Sequence, residues 1–368
     1  MSSFRLLILT PTALPTVSGN AMTAERWRRS LVGMGLDVHV LAAESLVPGD
    51  LKGEISRFNP DLIHVHNAYR AGGLLRHRTL ARAWGTLPLV VSPSGTDMNI
   101  ESRHESGREI VGIVLGRADA IIIQSEEGRM RLAELVPERM ERLFFVPKSF
   151  VWLGEEPSEL RSAAGAGPDD VLFFMPAGIR PVKGNLECLL GFERVHGLRD
   201  RARIVFAGPS LDGEYADRFR REVTRLQAFA RWIPAIAPAA MRSAYSSADI
   251  VMNGSFSEGL SNVLIEGKAA GKPLLAADIP GNRWPVLGDP GDPAMGLLFE
   301  PGERDDFARK ALMLIDDATL RRKLGAAGAA YASRMPGPGD EARALVAVYE
   351  AAMKGSFATR VQGLGSRV

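Results

Sequence analysis

The feature that most constrains this chain is a repeated alternation of short apolar, strand-like runs with stretches of helical periodicity. In the first half the runs are Leu6 to Leu9, Val38 to Ala42, Leu62 to Val65, Leu89 to Ser92, Ala120 to Ile123 and Leu143 to Val146. The second half repeats the pattern with Val171 to Met175, Ile204 to Ala207, Ala230 to Ile233, Ile250 to Asn253, Pro273 to Ala276 and Gly296 to Phe299. This is the signature of doubly wound parallel sheets, an α/β class. A chain of 368 residues suits about two such domains. The expected division is a Rossmann-like domain over 1–152, a Gly/Pro-rich linker over 153–168, a second Rossmann-like domain over 169–335, and a C-terminal helix and tail over 336–368. In the last of these, Glu341 to Met353 reads as an amphipathic helix and the polar end as disordered. Doubly wound sheets bind ligands outside the carboxyl ends of their strands, so two facing domains would create an interdomain cleft.

Bulk properties narrow the function classes. Charged residues make up 24% and hydrophobic residues 46%, the balance of a soluble globular enzyme. A net charge of +2 is far below what a dedicated nucleic-acid binder needs. The single cysteine, Cys188, allows no intramolecular disulfide and no cysteine metal cluster, which points to a reducing cytoplasm. The N-terminal apolar run is too short for a signal sequence, and no run approaches the roughly 18 residues of a membrane span. One segment, Glu25-Arg26-Trp27-Arg28-Arg29-Ser30-Leu31, has the basic face and aromatic anchor of a helix that lies on anionic lipid; packing against the first sheet is its other reading.

The chemistry concentrates at two places in the second half. Ser257-Glu258-Gly259-Leu260-Ser261-Asn262-Val263-Leu264-Ile265-Glu266 follows the strand at Ile250 and runs into a helix, so Glu258 sits in the loop and Glu266 about a turn and a half into the helix. Between the two carboxylates lie the first N–H groups of that helix, unpaired by construction and at the positive end of its dipole, where a diphosphate fits. Ionised carboxylates only accept hydrogen bonds, which suits Glu258 to sugar hydroxyls and Glu266 to a ribose diol. Solvated helix faces also carry such pairs. The second place is Pro176-Ala177-Gly178-Ile179-Arg180-Pro181-Val182-Lys183-Gly184-Asn185, after the strand at Val171. A forked guanidinium at Arg180 and a compact ammonium at Lys183 are suited to holding a diphosphate as it leaves.

With these two motifs, the second half resembles glycosyltransferase family 4, retaining enzymes of GT-B architecture. The resemblance implies that Arg180 and Lys183 grip the diphosphate, Glu258 engages the donor sugar, and Glu266 holds the ribose. It also implies that Gly259, Leu260, Ser261, Asn262 and Val263 line the donor, and that main-chain groups near Ile233 meet the base. Pro234 stands where the family usually has Gly, and removes one N–H there.

The first half resembles the family with departures. Of its Gly-Gly loop only Gly19, on the donor side, matches, followed by Asn20. Asp61-Leu62-Ile63-His64-Val65-His66-Asn67 matches a family strand end and implies that His66 faces the cleft; a structural histidine is the alternative. In Val90-Val91-Ser92-Pro93-Ser94-Gly95-Thr96-Asp97, Ser94 replaces the usual cleft histidine, which excludes histidine acid–base catalysis at that position. Asn20, His66, Ser94 and Asp97 are therefore the acceptor-side candidates. Together with Gly95-Thr96-Asp97 and Ile279-Pro280-Gly281-Asn282, the chain also resembles glycosyltransferase 1 domain-containing proteins and, more loosely, selenosugar synthases. The latter imply a small anionic acceptor, for which Arg26, Arg70, Arg76, His77 and Arg103 are available cations. The expected activity is a metal-independent, retaining transfer from a UDP-sugar co-substrate to a small-molecule or glycan acceptor, with no cofactor. An epimerase or hydrolase on the same scaffold, a membrane-peripheral lipid glycosyltransferase, and a non-catalytic binding protein are the alternatives.

Overall fold

Each half of the chain builds one six-stranded sheet in which every pairing is parallel. The computed structural model describes residues 4–76 and 87–355. The first sheet holds β1 (Arg5–Thr10), β2 (Asp37–Ala42), β3 (Leu62–His66), β4 (Leu89–Ser92), β5 (Ala120–Ile123) and β6 (Leu143–Phe145), in the order β2-β1-β3-β4-β5-β6. The second holds β7 (Val171–Pro176), β8 (Ala202–Ala207), β9 (Ala230–Ile233), β10 (Ile250–Asn253), β11 (Leu274–Ala277) and β12 (Gly296–Phe299), in the order β12-β11-β10-β7-β8-β9. Both are doubly wound. The second has the strand order of dinucleotide-binding folds, the first the order of flavodoxin-like ones. Strand order reverses between β1 and β3 in one sheet and between β7 and β10 in the other, and loops diverge there.

Burial explains why the central strands are mostly apolar. Along β1, Leu7 and Leu9 enter one core with Ile63, Val65 and Val91, while Leu6 and Ile8 enter another with Leu62, Val90 and Ile122. Phe173 and Met175 of β7 likewise face one core, and Leu172 and Phe174 the opposite one. A parallel sheet is covered on both faces, so its central strands are mostly apolar on both sides, while β2 at the edge keeps Asp37 and His39 at least partly exposed.

The described residues divide into two compact units, Trp152–Met335 and the remainder, so residues 336–355 belong with the first sheet. The passage expected as a linker is built into the second unit. Leu160 and Ala164, one helical turn apart, are buried in its core, and the Arg161 guanidinium binds Asp249 Oδ2 at 2.9 Å and the Gly167 carbonyl at 2.7 Å. The C-terminal helix runs Pro338–Lys354 and packs Leu345, Val346 and Tyr349 into the same core as Leu6 and Ile8. The polar end beyond it lies outside the described residues.

The segment with the look of a lipid-surface helix faces inward. It belongs to the helix Gly19–Gly33, where Trp27 is 1% exposed and Arg26 is buried. Arg26 donates from Nε to Glu341 Oε2 at 2.9 Å and from Nη2 to Glu341 Oε1 at 3.1 Å, and Trp27 Nε1 donates to Oε1 at 2.9 Å. Gln124 and Ser149 donate to the same carboxylate. The aromatic anchor and one of the three arginines are thus committed to the C-terminal helix, and Arg28 and Arg29 pair with Glu25. Burial would raise the Glu341 carboxyl, but Arg26, Lys148 and the Ser149 hydroxyl hold it below the ordinary carboxylate range. Because the folded value is depressed, the associated stability is present above the unfolded pKa of 4.5 and is lost as pH falls through the lower folded value.

Glu341→Gln leaves the Arg26 charge buried without its counter-charge and should cost about 3–5 kcal/mol. Urea unfolding of the purified variant checks this, and a loss below ~1 kcal/mol would show that the pair is not a keystone of the first unit.

Candidate active site

The two motifs of the second half come together at its strand-order reversal. The loop after β7 carries Arg180 and Lys183, the loop after β10 carries Glu258, and β7 and β10 are neighbours paired in parallel, so both loops leave the same end of the sheet. Their approach is close enough to dictate sequence. Gly184 has φ +62°, and a Cβ there would sit 2.2 Å from the Gly254 carbonyl oxygen. The Phe256 amide donates to the Val182 carbonyl at 2.9 Å, tying one loop to the other.

At the centre, Lys183 Nζ lies 2.5 Å from Glu258 Oε1. The same oxygen accepts from Ser255 Oγ at 2.7 Å and from Asn253 Nδ2 at 3.3 Å. Burial pushes the Glu258 carboxyl up, but Lys183, Ser255 and Asn253 outweigh it and hold the group below the ordinary carboxylate range. An ammonium has three donors, so Lys183 can keep Glu258 and still offer protons to an anion. Behind Glu258, a Cβ on Gly281 would come within 2.5 Å of its carbonyl oxygen, and the Ser261 amide donates to the Gly281 carbonyl at 3.4 Å. The Ile279-Pro280-Gly281-Asn282 motif thus supports the back of the loop.

The following helix, Asn262–Ala269, is capped by Ser261, whose hydroxyl accepts from the Leu264 amide and from Asn253 Nδ2 at 2.7 Å. Intrahelical bonding leaves the first-turn amides of Asn262 and Val263 open. Gly259, Leu260, Asn262, Val263 and Glu266 are all partly exposed. Glu266 Oε2 accepts from the Tyr245 hydroxyl at 2.8 Å. Ile233 ends β9, two strands from β7 and on the order of 10 Å across the sheet. Its carbonyl accepts from the Gly208 amide at 3.1 Å, and Trp232 beside it donates to the Gly208 carbonyl at 2.9 Å.

In the first unit, Gly19 and Asn20 begin the helix after β1, with Ser18 as its cap. Around the ends of β3 and β4 the polar groups satisfy one another. His66 is 7% exposed, meets Ser92 Oγ at 3.1 Å and stands edge-on to Trp27. His64 is wholly buried between Ser92 Oγ and the Tyr349 hydroxyl, each at 2.8 Å, and stacks on Trp27. Burial drives both imidazoles down to about 3, His66 further through Lys148 and Arg26, His64 through His66. Ser94 accepts from Asn67 Nδ2 at 2.7 Å and caps the helix Gly95–Asn99. Asp97, fully buried, accepts from the amides of Ala68, Ser94 and Met98 at 2.6, 2.8 and 3.0 Å; burial raises it to about 7 against those bonds. Of the expected cations, Arg26 is committed to Glu341 and Arg70 Nε meets Glu44 at 2.5 Å, while His77 lies outside the described residues. Among the described residues, no group of three His, Cys, Asp or Glu is arranged to hold a metal ion, and no helix is long and apolar enough to cross a membrane.

Residues 158–331 match the family model of group 1 glycosyl transferases, and residues 43–125 match a glycosyl transferase 4-like model. This chain is a glycosyltransferase of GT-B architecture. It is 26% identical to the D-inositol 3-phosphate glycosyltransferase of Kineococcus radiotolerans, over 88% of this chain and 82% of that one. It is 22% identical to Glycosyltransferase 1 domain-containing protein 1 of Xenopus tropicalis, over 83% and 87%. In fold it is similar to sucrose-phosphate synthase from Thermosynechococcus elongatus, with a TM-score of 0.79 at 15% identity, over 96% of this chain and 100% of that one. It is also similar to Anabaena HepE in complex with UDP-glucose, with a TM-score of 0.76 at 17% identity, over 95% and 100%.

The glycosyltransferase holds several site residues that sequence reasoning did not single out. Asn253 and Ser255 orient Glu258, and their signal was available: polar residues directly after the apolar run Ile250 to Met252. Tyr245 left no such signal, since its contact to Glu266 crosses between two helices.

The low values of His64 and His66 make both rings neutral at pH 7. As pH falls below the unfolded value of 6.5, the unfolded chain takes up protons first, so these two groups reduce stability progressively from about 6.5 toward 3. Ring proton shifts of both residues should stay flat from pH 8 to 5 by NMR; a midpoint near 6.5 for His66 would place it in solvent.

Proposed function

We propose that this glycosyltransferase moves a sugar from a UDP-sugar to a small anionic acceptor with retention of configuration and without a metal. The observation that supports it is the Lys183–Glu258 pair at the carboxyl ends of β7 and β10, beside the open amides of the Asn262–Ala269 helix. A cation, helix amides and an oriented carboxylate within one loop pair are complementary to a diphosphate joined to a polyhydroxy ring. Arg180, Lys183 and those amides take the diphosphate, Glu258 takes sugar hydroxyls, and Glu266 takes the ribose diol. The bond between the anomeric carbon and the β-phosphate oxygen breaks as the acceptor oxygen bonds to the same face of that carbon. The acceptor proton passes to the departing phosphate, whose growing charge Arg180 and Lys183 stabilise. The nucleotide assignment is supported by a fold neighbour bound to UDP-glucose, and the acceptor class by a relative whose name specifies an inositol phosphate.

Lys183→Ala should lower kcat on the order of 100-fold, the usual cost of losing one such donor. Near-normal turnover in a folded variant would remove the phosphate site from this loop pair. A thermal-shift panel of UDP-, GDP- and ADP-sugars should show stabilisation by the uridine series, lost in Glu266→Ala; stabilisation by another series would reassign the base, and retention in the variant would free Glu266 from the ribose.

A further inference from the structure

We infer that Tyr245 is a positioning residue that sets the enzyme's preference for a ribose over a deoxyribose nucleotide, an inference that rests on the assignment of Glu266 to the ribose diol. Tyr245 lies on the short helix Met241–Ser247 before β10, and Glu266 on the helix after it. Its hydroxyl donates to Glu266 Oε2 at 2.8 Å. The ring itself is packed in place: Tyr245 is fully buried, edge-on to Phe174 at 5.3 Å and tilted against Trp152 at 5.7 Å.

A glutamate has three side-chain torsions, and an unrestrained one must be ordered at the moment it grips a ligand. A hydrogen bond from a packed partner reduces that cost, because it restrains one carboxylate oxygen before the ligand arrives. The direction of the bond is also fixed. Burial, and then the Glu266 charge, push the Tyr245 hydroxyl well above its ordinary value, so it remains a donor at any pH the protein meets. A vicinal diol needs two acceptor lone pairs at a set spacing, and a carboxylate held this way presents them before the nucleotide arrives. The sugar and phosphate contacts at Glu258 and Lys183 do not run through Tyr245, so its effect is confined to the ribose.

The test is calorimetric binding of UDP and of 2′,3′-dideoxy-UDP to wild type, Tyr245→Phe and Glu266→Gln. Wild type should prefer UDP, Glu266→Gln should lose the preference, and Tyr245→Phe should cut it about tenfold while binding the dideoxy nucleotide as wild type does, in line with a hydrogen bond to a charged group. If Glu266→Gln loses the preference and Tyr245→Phe keeps it, Tyr245 only packs and the inference fails alone. Equal weakening of both nucleotides in Tyr245→Phe means general disruption and also overturns it. If wild type shows no preference, or Glu266→Gln keeps it, the ribose assignment fails and takes this inference with it.

Discussion

The placement of the site follows from the requirement that all twelve strands among the described residues run parallel to their neighbours. Each crossover must travel the length of the sheet outside it, so both faces are covered and the central strands are mostly apolar on both sides. The polar chemistry is therefore expelled to the strand ends. There the winding direction reverses once per sheet, and the two loops flanking the reversal part from each other. In the second unit those loops are the ones after β7 and β10, which is why residues 75 positions apart, Lys183 and Glu258, form one ion pair.

Near-burial decides what each charged group can do. Glu258 and Glu341 are both shielded from water, and both stay ionised because cations and hydroxyls compensate the desolvation. The outcome differs with exposure. Lys183 and Glu258 retain 18% and 17% side-chain exposure, enough for a ligand to reach them, whereas Arg26 and Glu341 retain 6% and 1% and serve only to lock the C-terminal helix onto the first unit. For His64 and His66 burial is the largest effect; on His66, Lys148 and Arg26 add to it against the pull of Glu341, and both rings are neutral at pH 7.

The strands and the meeting of the loops after β7 and β10 were legible in the sequence, because periodicity reports burial and the parallel topology then fixes which loops are neighbours. Ala230–Ile233, Ile250–Asn253 and Gly296–Phe299 appear in the fold with the expected bounds. Contacts between helices distant in sequence were not legible. Glu341 reads as an ordinary acidic residue in a first helical turn, and nothing local marks Arg26 and Trp27 as its partners. The same blindness gave Trp27 the look of a lipid anchor, since a basic face and a buried face with one aromatic residue have the same local pattern. Tyr245 is the corresponding case at the site: its value lies in a single hydroxyl contact across β10.

The acceptor-side residues carry a mechanistic consequence of their own. A general base must titrate near the working pH and touch the acceptor. Ser94 does not titrate there, and its hydroxyl is engaged by Asn67; His66, at about 3, is too weak a base to hold a proton at neutrality. Asp97 alone has a suitable value, about 7, but its carboxylate is sealed among backbone amides at zero exposure. None of the three combines a titration near neutrality with exposure. The proposed front-face route needs none of them, because the departing phosphate oxygen gains basicity at the moment the acceptor loses its proton. On that proposed route Ser94 need not act as a base, and the charge of the departing phosphate falls to the cations after β7.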